Sequence, residues 1–206
     1  HISLNQKAMD VVKAFGEGDF DVQLEQFPGK QAYINETIEQ VRSNLQNLIN
    51  DTDMLITAAV DGKLSTRADA SQHQGDFRKI IEGINTTLDA VIDPLNMAAD
   101  YVDAISNGKI PEKITDHYNG DFNQLKDNLN QCIEAINTMI QDTSMLATAA
   151  ENGVLSTRAD ETQHKGDFKK IVSGINSTLD SVINPLNVAA QYVERISHGD
   201  IPDSIE

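Results

Sequence analysis

The chain has no tryptophan, one cysteine and only 5% aromatic residues among its 206. A single cysteine excludes an intrachain disulfide and fits a reducing compartment. So few large rings, beside plentiful Ala, Ile, Leu, Asn and Asp, suit slender helical bundles better than thick sheet cores. A helix pair with a narrow apolar stripe cannot hide that stripe within one chain, so a partner chain is expected. Basic residues are scarce too: 16 Lys and Arg stand against 32 Asp and Glu, a net charge of −16. That charge repels nucleic acid and an anionic lipid surface, so neither nucleic-acid binding nor direct membrane contact is expected; an acidic, solvated outer face keeps an elongated assembly soluble. No apolar run approaches the ~20 residues of a membrane span, and no leader of charged, apolar and small residues opens the sequence. The expected location is cytoplasmic, with any membrane span outside this segment.

What is present is repetition. The stretch 51–114 recurs at 142–205 without a gap and with about two positions in three identical, which marks internal duplication. LSTRAD at Leu64–Asp69 returns at Leu155–Asp160. A finer period of about 45 residues is marked by Gly18, Gly62, Gly108, Gly153 and Gly199, giving units of two alternating kinds.

Each marker glycine heads the same pattern: glycine, any residue, an apolar residue, three residues, another apolar residue. The pairs are Phe20 with Leu24, Leu64 with Ala68, Ile110 with Ile114, Leu155 with Ala159, and Ile201 with Ile205. A glycine in the left-handed conformation stops a helix, and two spaced apolar residues then pin the following connector back onto the bundle. About a dozen residues later come Gly75-Asp76-Phe77, Gly120-Asp121-Phe122 and Gly166-Asp167-Phe168. Asp76, Asp121 and Asp167 are expected at the start of a second helix, where a carboxylate accepts from unpaired N–H groups and meets the positive end of the dipole. The first unit departs, with Pro28-Gly29-Lys30 at this place.

From each Gly-Asp-Phe the apolar residues run at spacings of four and three, the pattern of a supercoiled seam. One run is Phe77, Ile81, Ile84, Leu88, Val91, Leu95, Ala98, Val102 and Ile105; its copy runs from Phe168 through Val172, Ile175, Leu179, Val182, Leu186, Ala189 and Val193 to Ile196. The seam crosses the unit boundary unbroken, which predicts helices of about 30 residues, roughly 45 Å long. Pro94 and Pro185 lie inside them and should kink or loosen a turn. The other junctions place Thr52 and Thr143 in the seam, in the run Leu129, Cys132, Ile136, Met139, Thr143, Leu146 and Ala150. Both junction types read as soft joints, and Cys132 as a small buried hydrophobe.

Catalytic chemistry is not in view. His73 and His164 stand at equivalent places but without a Cys or second His at ligand spacing, and His117 and His198 have no better company. A connector histidine that packs or hydrogen-bonds is the plainer reading. Arg67-Ala68-Asp69 and Arg158-Ala159-Asp160 read as connector ion pairs. No phosphate loop or nucleophile motif appears, so no catalytic residue, no cofactor and no metal is expected, and the chain does not read as an enzyme.

A helix, a glycine-headed connector with two apolar anchors, and a second helix opening at an acidic residue together resemble the HAMP domain. The resemblance covers nearly the whole chain. Asn184-Pro185-Leu186-Asn187, Tyr192-Val193-Glu194-Arg195-Ile196 and the His-x-Gly-Asp-Phe stretches look most like the tandem HAMP arrays of bacterial methyl-accepting chemotaxis receptors. The resemblance implies an all-α fold of parallel homodimeric four-helix coiled-coil units stacked end to end into a rod. The units would be 1–50, 51–92, 93–141, 142–183 and the truncated start of a fifth at 184–206. The chain's partners would be itself, as a parallel homodimer, and the sensor and output domains of the same longer chain. The implied function is an intramolecular relay of helix packing changes from sensor to output. The alternatives are a passive dimeric spacer, the HAMP array of a hybrid sensor histidine kinase, or a helical bundle that binds a small ligand.

Overall fold

The computed structural model describes residues 3–201. It is all-helical there, with no strand among the described residues. The α-helices are α1 (Leu4–Gly16), α2 (Ala32–Val60), α3 (Gly75–Ser106), α4 (Gly120–Glu151) and α5 (Gly166–Ser197). Short 3₁₀ turns at Gly29–Gln31, Ala70–Gln72 and Glu161–Gln163 lie in the connectors. The chain divides into two compact units, one ending at Leu95 and one beginning at Asn96.

The long helices run through the unit boundaries expected from the sequence. α2 has 29 residues and α3, α4 and α5 have 32 each, as the unbroken seam implies. Pro94 and Pro185 sit inside α3 and α5 without ending them. Each still removes one N–H, so the carbonyls of Ala90 and Ser181, four residues back, lose their helical donor. Thr52 and Thr143 are likewise inside α2 and α4. Their hydroxyls donate to the carbonyls of Leu48 and Met139 at 2.8 and 2.9 Å, a back-bond that competes with the ladder and bends a helix slightly.

Every helix stops in the same way. After α2, Gly62 takes φ +73°, its N–H donates to Ala59 at 3.1 Å and the Lys63 N–H reaches back to Ala58 at 2.8 Å. This pair of bonds is the Schellman motif, which satisfies carbonyls left open at a helix end and needs the left-handed conformation at the glycine. The same pair of bonds recurs at Gly18, Gly108, Gly153 and Gly199, all with positive φ. The chain is thereby turned off each helix at a fixed angle.

In the unit ending at Leu95, two apolar clusters form. One joins Ala8 and Val11 of α1 to Phe27 of the connector and Ile38 of α2. The other joins Leu55 of α2, Ala68 of the connector and Ile81 of α3, with Leu48, Ile84 and Leu88 against it. In the other unit Ile114, Ile133, Ala159, Val172 and Ile183 are buried. The seam continues past these clusters into solvent: Leu95 is 45% exposed, Val102 56%, Leu186 55% and Val193 67%.

The α4 register differs from the sequence expectation. Cys132 is exposed and its neighbour Ile133 is fully buried. Ile133 stands 13 residues after Gly120, as Leu88 does after Gly75 and Leu179 after Gly166. Spacings of three and four permit a one-residue slip in the frame; counting from the glycine removes it. Further along the same helix Ala149 is half-buried and Ala150 is exposed.

Gly108→Ala, which puts a Cβ on a residue at φ +74°, should lower stability by about 1–2 kcal/mol. Gly83→Ala, at an open helical position, should raise it by up to about 1 kcal/mol. Urea midpoints of the two variants moving in opposite directions would agree with this; equal shifts would contradict it.

Candidate functional site

The repeated feature that joins one helix to the next is the connector, and a side-chain clamp holds it. In α3, Asn85 accepts from the Ala68 N–H at 3.1 Å and donates to the Ala68 carbonyl at 2.8 Å. Asn130 of α4 does the same to Ile114, at 2.7 and 2.9 Å. Asn176 of α5 does it to Ala159, at 3.0 and 2.9 Å. A primary amide presents one acceptor and a donor side by side, so it pairs with an extended backbone residue as a neighbouring strand would. The clamped residue is also the buried one: Ala68, Ile114 and Ala159 are 4–6% exposed. Hydrogen bonding and apolar burial therefore act on one residue of each connector.

An ion pair lies beside each clamp. Arg67 meets Asp89 at 2.7 Å, Lys113 meets Glu134 at 2.9 Å and Arg158 meets Asp180 at 2.7 Å. In each case the cation precedes the clamped residue and the acid lies one helical turn after the asparagine. Arg67 and Arg158 also donate to connector carbonyls, Arg67 to Leu64 and Thr66 and Arg158 to Leu155 and Thr157. Expected partners Asp69 and Asp160 are engaged elsewhere. Each caps the following 3₁₀ turn, accepting from Ser71 and Gln72 or from Thr162 and Gln163. Those hydrogen bonds, led by the Ser71 and Thr162 hydroxyls, hold both carboxyls below the usual 3.8. The Lys113 ammonium likewise holds Glu134 below 4.5. A lowered carboxyl stabilises the fold above its unfolded value and ceases to do so as pH falls through the folded one, so these contacts weaken only in acid below about pH 4.5.

The first connector is built differently. Asn35 of α2 accepts from the Phe27 N–H at 2.9 Å and donates to the Glu25 carbonyl at 2.8 Å. Phe27 is buried, whereas Phe20 and Leu24 are half-buried. Arg42 donates to the Phe20 carbonyl and lies over the Phe15 ring at 5.1 Å. The glycine lies closer to the asparagine here than in the other units, so the clamp closes later along the connector. Among the leading anchors, Leu64, Leu155 and Ile201 are exposed and Ile110 is half-buried; Ile205 lies outside the described residues.

The second-helix starts also differ in chemistry from the sequence expectation. Gly75, Gly120 and Gly166 begin α3, α4 and α5 at φ of 54–58°, and no side chain caps α4 or α5. Asp76 and Asp167 lie in the first turn, where they favour the helix dipole, and accept from Lys79 and Lys170, each at 2.7 Å. The glycine, not the aspartate, is the residue the turn requires.

His73 and His164 are buried, and each holds a carboxylate of the preceding helix: Nε2 lies 2.6 Å from an oxygen of Asp51 or Asp142. His117 is exposed, and His198 lies at the end of α5 with Nδ1 2.8 Å from the Glu194 carbonyl. Among the described residues no cluster of His, Cys, Asp and Glu could hold a metal ion. The asparagines, and the acid a turn after each, were legible as a repeat at Asn35, Asn85, Asn130 and Asn176, but asparagine inside a helix ordinarily signals nothing.

Asn176→Ala should cost about 1–3 kcal/mol, because it strands two backbone groups of a buried residue. Asp180→Ala should cost less than about 1 kcal/mol, as an exposed ion pair does. Denaturant unfolding of both variants in parallel gives the ranking, and the reverse order would refute the clamp.

Comparison with known proteins bears on the whole length of this arrangement. The family model for the HAMP domain matches residues 72–138 and 163–206, and that for HAMP N-terminal domain 3 matches residues 4–46. The methyl-accepting chemotaxis protein McpB of Pseudomonas aeruginosa is 23% identical over 249 aligned residues, which take in all of this chain and 37% of the relative. The chain thus spans a little over a third of the length of that curated relative. No solved structure matches. With the HAMP domain model covering more than half of its residues, the chain belongs to the HAMP domain family.

Proposed function

We propose that the chain is a signal relay in the cytoplasmic part of a chemotaxis-type receptor, working as a parallel homodimer and passing changes of helix packing from a sensor to an output domain. The units are 1–50, 51–92, 93–141, 142–183 and 184–206, so that every boundary falls inside a helix. The observation that carries the reading is this continuity, combined with the exposed apolar seam on the same helices. A rotation or shift applied to the first half of α3 has no flexible linker in which to dissipate before it reaches the second half. Burying a Leu or Val side chain contributes roughly 1.5–3 kcal/mol, so Val91, Leu95, Val102, Val182, Leu186 and Val193 together favour a second copy strongly. No helix among the described residues is long and apolar enough to cross a membrane.

A relay requires two packings of similar energy at each joint, biased by what arrives from the neighbouring unit. Pro94, Pro185, Thr52 and Thr143 supply the local weakness, since each disturbs one hydrogen bond of the helix ladder. Replacing them with Ala or Val stiffens the joint, and a bias of ~1.4 kcal/mol changes a two-state ratio tenfold. A passive spacer is indifferent to such changes.

Pro185→Ala and Thr143→Val in the intact protein should therefore alter the stimulus-dependent chemotactic response severalfold while the dimer remains folded. A response identical to that of the parent protein in both variants, each shown to be folded and dimeric, would leave the spacer as the correct reading.

A further inference from the structure

The position two residues before each helix-opening glycine differs between alternate connectors. It is His73 before Gly75, Tyr118 before Gly120 and His164 before Gly166; in the differently built first connector the buried aromatic is Phe27, the residue that Asn35 clamps. Phe27 is buried in an apolar cluster with Ala8, Val11 and Ile38, whereas the side chains of His73 and His164 are only 2% and 1% exposed yet end on carboxylates. Asp51 and Asp142 belong to the preceding helices, beside Thr52 and Thr143 at the joints. The histidine stands at the far end of the connector, two residues before the next helix. The contact therefore ties the first turns of a repeat directly to the start of its second helix, bypassing the connector between them.

We infer that His73 and His164 are positioning residues: each latches the start of a second helix to Asp51 or Asp142 at the preceding joint, where the connector between them presents the half-buried Tyr118 ring and the first connector a buried Phe27 plug. A carboxylate 2.6 Å from Nε2 accepts, so that nitrogen carries the proton and the bond is charge-assisted. The other acids of these connectors are engaged, Asp69 and Asp160 by their own turns and Glu161 by the Asn176 amide, which leaves the helix carboxylate as the histidine's partner. A plug holds by volume and slides at little cost. A charge-assisted bond between a buried imidazole and a half-buried carboxylate holds one register and is lost when the groups part by more than hydrogen-bond length. The latched units accordingly move their two helices together, and the plugged units allow them to slip. That consequence rests on the relay reading; the latch itself does not, and it is measured separately.

The test is hydrogen exchange of connector amides in the intact protein, with the peptides covering 65–74 and 156–165 compared with the connector at 109–119. His73→Phe retains a plug of Phe27 type but has no donor, and it should speed exchange of the 65–74 amides about tenfold or more. Asp51→Ala should do the same, and the double variant should exchange no faster than either single one. His73→Gln, whose amide nitrogen falls where Nε2 was, should restore slow exchange, and 109–119 should be unchanged throughout. Slow exchange in His73→Phe would show the residue to be a plug, and additive effects of the two single variants would show the pair uncoupled; either overturns the latch. If His73→Phe does not fold, seen as lost protection around Ile81, the comparison of Asp51→Ala with Asp51→Asn decides by the same criterion: Asn keeps an acceptor and should exchange slowly, and equal rates overturn the proposal. A normal exchange pattern with no effect of joint variants on signalling would instead refute the relay and leave the latch standing.

Discussion

An asparagine on the second helix that bonds the backbone of the connector, both the N–H and the C=O of one residue in three connectors and of Phe27 and Glu25 in the first, is the contact on which the repeats depend. Without it the connector is an extended segment with two buried backbone groups and no strand to pair with, a condition that costs about as much as the burial of its single apolar side chain returns. With it, Ala68, Ile114 and Ala159 become fixed points through which the chain passes from one helix to the next. The Schellman turn upstream and the positive-φ glycine downstream then set the two angles of approach. The ion pairs with Asp89, Glu134 and Asp180 lie outside this framework and refine it.

That division of labour explains why a long, weakly aromatic sequence folds into separate small clusters. Each cluster needs only a few side chains, because the backbone of the connector is held by hydrogen bonds rather than by mass of core. The remaining apolar residues of α3, α4 and α5 are free to form a seam. The same economy leaves the seam half open in one chain, with Leu95 and Leu186 in solvent, and on that exposure the proposed pairing with a second copy rests.

Much of this was legible in the sequence, and the parts that were not share a cause. The helix lengths and the stopping glycines are local features with strong residue preferences. The buried second anchors followed from their spacing after the glycine in three units, but the first connector closes on Phe27 instead of Leu24 because its glycine and asparagine stand closer together. The frame of α4 slipped by one residue at Cys132 because spacings of three and four are nearly degenerate. Asn85 is silent in the sequence because its partner lies 17 residues back, and Asp76 stands in the first turn as its type predicts beside a glycine whose own positive φ opens the helix. Local chemistry was readable wherever cause and effect lie within one turn; contacts that close a loop were not.

Spin labels at Ser106 and Ser197 report whether these helices pair in parallel and in register with those of a second copy. Helix spacings of about 8–10 Å in a bundle predict one sharp distance on the order of 20 Å between identical positions of two chains, at both sites. A monomer, or broad and unequal distances of the kind an antiparallel pair gives, would contradict the account.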